Sequence, residues 1–493
     1  MKFRLKRTIC IALVVVLSIA LLSGCGKKKT EGELTYYVVG AERVDTGRII
    51  EKVQEILLEK TGYKVNFEFL ADESYDLTIS SGEPYDLIYA PDHKNYWQNA
   101  SKGAFAEITD EDLQKNAPYI WEKGGDTLKV TKYKGTRYGI ANMHYYAPDR
   151  CFVARGDLMD KYGIKDLNSI ENIEKYLDAV KANETDLIPF DIPGTAPWLN
   201  LAMFVSDLGW APVGSLSYGE HVYFDLDDPE HKLFIAAEQP EMLEFTKKMK
   251  EWNEKGYFSK SVLSNKTSSL DSFKAGRTAL AFVNSPSECQ TVWNELSKDD
   301  RANWDIRFFT RYQKRQQMYN YTNSIAAISG FSENKEAALK VLNEMYANKE
   351  LYRLIQYGFE GEHYIINDDG TMSSTEKYED AGYIATGVVN DEWALETQLT
   401  FPGHEELTKK LYDQREVNPT VNMPTSDEGV REIKVSLSEV YNQYSAPRCY
   451  GAFTGTAEQA IANEIKALKA AGIDKYKEEL QKQVDEYYKA LEK

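Results

Sequence analysis

Leu34 to Leu70, LTYYVVGAERVDTGRIIEKVQEILLEKTGYKVNFEFL, carries enough local pattern to name the fold. Leu34 to Val39 is apolar and β-rich. From Thr46 to Lys60, residues Ile49, Val53, Ile56, Leu57 and Lys60 recur at helical spacing. Gly62 is placed to stop that helix, because glycine accepts the left-handed conformation at a helix C-terminus. Lys64 to Leu70 then alternates, with Val65, Phe67 and Phe69 on one face. Strand, helix and strand in this order call for parallel strands and a right-handed crossover. Asp86 to Ala90, between Pro84 and Pro91, reads as a further short buried strand. The N-terminal part is therefore expected to be an open α/β sheet covered on both faces.

Further along, the pattern repeats with different lengths. Gly135 to Ala147 begins with a glycine-rich turn and continues as an extended aromatic segment. Cys151 to Ala154, Ile188 to Phe190, Ala279 to Val283 and Asp305 to Phe309 read as strands. Helices are expected at Asp157 to Tyr162, Ser169 to Ala182, Glu241 to Gly256 and Ser332 to Asn348, with Ser169 and Ser332 as caps. The C-terminal part turns helical. Ser426 is expected to cap one helix, and Thr456 with Gln459 forms a capping box for the next, which Gly472 closes.

The N-terminus places the protein. Lys2, Arg4, Lys6 and Arg7 precede an apolar run from Ile9 to Leu22, the layout of a secretory signal peptide. The run is shorter than the ~20 residues a spanning helix needs. Leu22-Ser23-Gly24-Cys25 resembles the lipobox of bacterial lipoproteins. That resemblance implies cleavage before Cys25 and lipid attached to its thiol. Two acyl chains hold a protein to a bilayer where one is marginal. Gly26 to Gly32 reads as a solvated leash whose lysines favour an anionic surface.

The chain has 493 residues, a hydrophobic fraction of 42% and a formal net charge of −18. Four basic residues and no acidic one leave with the signal segment, so −18 becomes −22 in the mature chain. Such an acidic chain is a poor partner for nucleic acid. Cys10 leaves with the signal, and Cys25 takes the lipid. Cys151, Cys289 and Cys449 remain at wide spacing, which is no disulfide framework, although one disulfide is open to them.

No catalytic or metal motif emerges. The six histidines show no pairing at ligand spacing. His404-Glu405-Glu406-Leu407-Thr408 begins like a zinc-protease motif but has Thr where the second His belongs. Asn367-Asp368-Asp369-Gly370 fails the calcium-loop pattern and reads as a hairpin turn. No catalytic residue, metal or cofactor is expected. The aromatic content, with 33 Tyr and 8 Trp, is more informative. Sugars lay C–H faces on aromatic rings. Trp97, Tyr145, Tyr146, Trp198, Trp293 and Trp393 fall in loops or at segment ends, where cleft residues gather.

Several segments together resemble one family. These are Ser81-Gly82-Glu83-Pro84-Tyr85-Asp86-Leu87, Tyr138-Gly139-Ile140-Ala141-Asn142, Phe273 to Ala279 and Ile325 to Ser329. With the lipobox, they lie in the order seen in extracellular solute-binding lipoproteins of carbohydrate-class ABC importers, related to maltose-binding protein. Tyr357 to Tyr364 and Leu468 to Asp474 resemble the LipO-type subfamily, which has a C-terminal domain of unknown function. Where maltose-binding relatives carry Asn-Gly-Pro-Trp, Asn284-Ser285-Pro286-Ser287 stands here, so the stacking tryptophan is missing and Trp293 is the nearest substitute.

The resemblance implies a two-lobed α/β fold of the class II periplasmic-binding-protein type, with ligand between lobes that close about a hinge. Crossings are expected near His144 to Arg150, Phe309 to Arg311 and Asn348 to Leu351. The expected division is a signal peptide at 1–24, a lipidated leash at 25–33, lobe 1 at 34–147 and 310–348, and lobe 2 at 148–309 and 349–493, of which 425–493 is the helical C-terminal part. The implied function is a monomeric, lipid-anchored receptor on the outer face of the membrane. It would pass a small solute, expected to be an oligosaccharide, to an ABC permease. A surface glycoside hydrolase, or a receptor for peptides or other non-sugars, are the other readings, because fold does not fix function.

Expected ligand contacts are Asp92, Trp97, His144, Tyr145, Trp198, Asn284, Ser285, Trp293 and Trp393. Trp198 is the expected platform on lobe 2, since it follows a strand's carboxyl end and is stiffened by Pro193 and Pro197. Asp92 is expected to face it from lobe 1, with Tyr145 between them.

Overall fold

The computed structural model describes residues 32–82, 84–143, 150–214, 221–310, 315–317, 321–382, 384–416, 418–421 and 423–491. The signal segment and Cys25 lie outside them. Its two main sheets are built from β1 (Glu33–Val39), β2 (Lys64–Leu70), β3 (Leu87–Tyr89), β4 (Gly139–Ala141), β5 (Cys151–Arg155), β6 (Ile188–Phe190), β7 (Thr278–Val283), β8 (Ile306–Thr310) and β9 (Ile325–Ile328).

The first sheet has the order β2-β1-β3-β9-β4. β1 runs parallel to β2 and β3, with Leu34 opposite Val65 and Tyr36 opposite Phe67, so the strand–helix–strand unit reads out as expected. Gly62 ends the intervening Thr46–Thr61 helix at φ 77°, and its N–H bonds to the Leu58 carbonyl. β9 is antiparallel to both β3 and β4. The carboxyl ends of β1 to β4 therefore share one edge, together with the start of β9.

Successive side chains of a strand point to opposite faces, and two apolar layers follow. Tyr36, Val38, Ile140 and Ala326 pack with Ile49, Val53, Leu57, Leu342 and Met345 on one side. Tyr37, Ile88, Ile325 and Ala327 pack with Tyr75, Ile79, Tyr96 and Trp97 on the other. Full burial of each large side chain contributes about 1.5–3 kcal/mol, so both layers add to the same lobe.

The second sheet has the order β8-β5-β7-β6. β5 is antiparallel to β7 and β8, while β6 is parallel to β7. Here too the carboxyl ends of β6, β7 and β8 share an edge with the start of β5. Phe152, Ala154, Leu280 and Phe282 face one core, and Cys151, Val153, Ala281 and Val283 the other.

The expected third crossing at Asn348 is corrected. Asn348 caps a new helix, Lys349–Tyr357, by accepting from the Leu351 N–H. That helix turns Leu351, Tyr352, Leu354 and Ile355 into the core of the first lobe. The following chain stays there: Ala385 bridges to Val39 and Asn390 to Met143. Gln398 still donates its N–H to Met372, whereas Thr400 donates to Gln290 of the second lobe at 2.6 Å. The chain thus leaves the first lobe between Gln398 and Thr400. Periodicity could not show this, because an amphipathic helix does not announce which sheet it covers.

The C-terminal helices Arg431–Val440, Ala457–Ala471 and Ile473–Leu491 share a core with a three-stranded sheet formed by Trp210–Pro212, Val222–Asp225 and Phe234–Ile235. The expected box at Thr456 and Gln459 has both of its hydrogen bonds. Ser169 accepts from the Asn172 N–H, as a cap should. Two expected caps are corrected. Ser426 binds Gln483 of the last helix through its backbone, five residues before the helix it was to cap begins at Arg431. Ser332 donates to Asp86 at 2.6 Å, and its helix starts at Lys335. Each hydroxyl instead accepts from an N–H two residues on, Glu428 for Ser426 and Asn334 for Ser332, in a turn before its helix begins.

Candidate ligand cleft

The chain runs from the carboxyl end of β4 to the start of β5, and from the carboxyl end of β8 to the start of β9. Both passages join the strand-end edge of one sheet to that of the other. Two edges joined twice in this way would frame a groove between the lobes. In open α/β sheets this is the edge where ligands gather.

On the first lobe, Asp92 stands just past β3 with its side chain only 5% exposed. It accepts from the Thr322 hydroxyl at 2.8 Å and from the His93 N–H at 2.6 Å. Thr322 belongs to the Tyr321–Asn323 turn that leads into β9, so Asp92 ties two strand ends together. Tyr75 donates to the Tyr89 carbonyl at 2.9 Å, and Lys94 lies over the Tyr75 ring at 5.4 Å while pairing with Asp72.

Two more polar groups at this edge escaped the sequence reading. Asn142 follows β4 and Ser324 precedes β9, joined by the Asn142 N–H on the Ser324 carbonyl at 2.9 Å. Both are buried, and neither Asn142 Oδ1 nor Ser324 Oγ has a protein partner. Asn142 sits inside the quoted Tyr138–Asn142 motif, but a lone Asn at a strand end carries no pattern.

On the second lobe, Asp191 follows β6. Ser272 and Asn265 donate to its carboxylate at 2.5 and 2.9 Å, so its oxygens hold the lobe together. Pro193 offers its carbonyl to the Tyr450 hydroxyl at 2.6 Å. Trp198 opens a helix, Trp198–Asp207, and so stands at a segment end. Its side chain is outside the described residues, while Leu199 and Leu201 behind it are core. His144 and Tyr145 are likewise outside the described residues.

Of the remaining expected contacts, Asn284 and Ser285 follow the carboxyl end of β7. Trp97 is 2% exposed, packed edge-on to Tyr96 with ring centroids 4.9 Å apart, and is a core residue. Asn284 is exposed, with its N–H and amide turned to Glu288, and Ser285 caps the Pro286–Glu295 helix. Asn284-Ser285 is thus a helix entrance at the β7 end. Trp293 lies two turns along that helix under the Arg301 guanidinium at 5.0 Å. Trp393 is half-buried on the first core, its indole N–H donating to the Tyr346 carbonyl.

Between the lobes, Gln316–Gln317 pairs in parallel with Arg415–Glu416. Arg315 grips Asp227 with Nη2 at 3.0 and 2.8 Å, and its Nε lies 3.5 Å from Glu416. Gly209 makes room for this arginine, since a Cβ there would lie 2.5 Å from Nη1. Burial pushes the Glu416 carboxyl above its usual range against the pull of Arg315.

Asp45, Glu362 and His363 bring ligand atoms within 4.8 Å of one another. Their chemistry is already committed. His363 Nδ1 accepts the Phe359 N–H at 2.8 Å, which leaves the proton on Nε2, facing Asp45 Oδ2 at 3.1 Å. Arg48 spans Asp45 at 2.9 Å and Glu362 at 3.0 Å, so a guanidinium supplies the positive charge. Arg48 and Lys377 together hold the Glu362 carboxyl down to about 2. Asn367 to Gly370 forms the expected hairpin turn, with Gly370 at φ 86°.

Comparison with known proteins identifies the architecture. A family model described as bacterial extracellular solute-binding protein matches residues 40–351, and a domain of unknown function, DUF3502, matches residues 427–489. A carbohydrate ABC transporter substrate-binding protein of Streptococcus pneumoniae serotype 4 is 26% identical over 491 residues, covering 95% of this chain and 94% of its own. The crystal structure of an N-glycan transport solute-binding protein from S. pneumoniae is similar with a TM-score of 0.72 at 23% identity, covering 93% of this chain and 99% of that one. Its complex with Man5GlcNAc gives 0.67 at 24% identity over the same shares. An extracellular solute-binding protein from Bifidobacterium longum subsp. infantis gives 0.66 at 16% identity, covering 94% and 99%. The fold is the two-lobed, class II periplasmic-binding-protein type. Among the described residues no helix is long and apolar enough to cross a membrane.

Proposed function

We propose, from the premise that this chain belongs to the bacterial extracellular solute-binding protein family, that it is the receptor of an ABC importer, capturing an oligosaccharide between its lobes and delivering it to a membrane permease. The observation that carries the reading is the pair of strand-end edges joined by passages from β4 to β5 and from β8 to β9. A groove so built can close when its two walls share one ligand, and closure is what tells a permease that the receptor is loaded. Ligand shifts that balance only by binding the closed form more tightly.

Asp92 is a fitting hydroxyl acceptor, because Thr322 and the His93 N–H hold its carboxylate in place before ligand arrives. Trp198, at the start of its helix beside Pro193 and Pro197, is the aromatic platform we assign to the second lobe, with His144 and Tyr145 on the first passage between them. Asn284 and Ser285 shape the helix entrance beside the groove. Lipid on Cys25 would keep the monomeric receptor at the outer face of the membrane. The glycan-binding relatives support a carbohydrate ligand over a peptide.

A thermal-shift panel of mannose–N-acetylglucosamine oligosaccharides, fructans and short peptides tests the reading. Ligand at a hundredfold excess over Kd stabilises by about 2.7 kcal/mol. An oligosaccharide should raise the melting temperature with stoichiometric binding and no new reducing ends on prolonged incubation. Stabilisation by peptides alone, or turnover of the glycan, would overturn it.

A further inference from the structure

Cys151 opens β5, at the second-lobe end of the first passage, and lies opposite Val283 of β7. Two residues past Val283, Ser285 caps the Pro286–Glu295 helix. Cys289 sits one turn into that helix, with its N–H bonded to the Ser285 carbonyl at 3.0 Å. The helix folds back over β5, and both cysteines are fully buried in one apolar cluster with Val153, Ala281, Val283 and Val292. The Cys151 thiol acts on the Cys289 thiol within that shared cluster. Cys449 stands in a different cluster.

We propose that Cys151 and Cys289 join as a disulfide when the chain folds outside the cytoplasm in contact with a disulfide oxidant. Thiols packed on neighbouring elements of one cluster join when their sulfurs approach to about 2.0 Å, a local adjustment of strand and helix. A family working outside the cell meets conditions in which such bonds persist. One thiolate attacks the oxidant's disulfide and forms a mixed disulfide. The second thiolate then displaces the oxidant's remaining sulfur. Two thiols lose two protons and two electrons, and the oxidant's disulfide becomes two thiols.

Timing follows from burial. Burial pushes the Cys289 thiol well above its usual range, so the folded protein holds almost no thiolate there. Oxidation belongs to folding, before the cluster closes, and the finished bond is shielded from reductant. It would tie the second-lobe end of the first passage to the helix beside the groove. It would also close a long loop in the unfolded chain, the situation in which a cross-link removes most chain entropy.

The test is a peptide map. The full chain is unfolded, refolded with oxidised glutathione, denatured with an alkylating reagent and digested without reductant. The expected result is one linked peptide containing Cys151 and Cys289, alkyl label on Cys449, and loss of the linked peptide in Cys289→Ser. A refolded chain with native circular dichroism and label on both Cys151 and Cys289 would overturn the proposal, as would either cysteine linked to Cys449. Should refolding fail, the protein alkylated on release from the cell surface decides it: a linked peptide supports the bond, and two labelled thiols refute it.

Discussion

Removing the positive half of the buried pair in the C-terminal unit tests how that unit is held to the second lobe. Arg448 and Glu464 are 3% and 1% exposed. Arg448 Nε donates to Glu464 Oε2 at 2.6 Å and Nη2 donates to Oε1 at 3.2 Å, while Ser445 adds its hydroxyl at 2.8 Å. Burial pushes the Glu464 carboxyl up, but Arg448 outweighs it and holds the group below its usual range. Arg448→Met strands a carboxylate in a dry site, at a cost of ~3–5 kcal/mol. In a cooperative unit of this size each kcal/mol moves the midpoint by about 2–4 °C, so the transition of the second lobe should fall by roughly 6–20 °C. Adding Glu464→Leu removes the stranded charge and should recover most of that loss.

The pH dependence has a definite sign. In the native protein the depressed Glu464 carboxyl contributes stability that is full above the ordinary carboxyl range and lost as pH falls below it. In Arg448→Met, burial acts alone and raises the carboxyl. The folded state then holds the proton more tightly than the unfolded one, and the variant loses stability as pH rises from about 4.5 toward neutrality. The gap between native and variant should therefore narrow on acidification. A protonated His221, 4.0 Å from Oε1, would act in the same direction. Differential scanning calorimetry at pH 7 and pH 5 measures both effects. A variant within about 1 kcal/mol of native at pH 7, or a double variant no better than the single one, would refute the reasoning.

Three other outcomes are expected. Cys25→Ala should abolish lipid attachment and release the protein from membranes, whereas mass spectrometry finding an unmodified Cys25 in membrane-bound native protein would end that reading. Trp198→Ala should weaken glycan binding with little loss of stability; a stability loss of ~3–5 kcal/mol with unchanged affinity per folded molecule would make it a core residue. Arg48→Ala should release Asp45 and Glu362, both held below their usual range by hydrogen bonds from His363 and Arg48 for Asp45 and from Arg48 and Lys377 for Glu362. Native stability should fall as pH drops below the ordinary carboxyl range toward about 2. The variant should show less of that fall in acid unfolding followed by circular dichroism, and an identical acid profile would count against the staple.

Local pattern was enough for local structure. The alternation in β1 and β2, the spacing of Ile49, Val53, Ile56 and Leu57, the stop at Gly62 and the box at Thr456 each depend on neighbours within a few residues. Such interactions are written wholly in the chain. The family resemblance rested on short segments of the same kind and pointed to the two-lobed fold.

Tertiary structure decided whatever depended on a distant partner. An amphipathic helix at Lys349–Tyr357 reads the same whichever sheet it covers, and only packing assigned it to the first lobe. Trp97 and Trp393 have the composition of cleft residues, yet the first is sealed into a core and the second spends its N–H on Tyr346. Asn142 and Ser324 lie far apart in sequence and meet only because β4 and β9 pair. A side chain's reach is set by its own covalent geometry, so sequence fixes what each residue can offer. What it meets is set by how strands and helices from remote parts of the chain bury their apolar faces together, and that is a property of the folded whole.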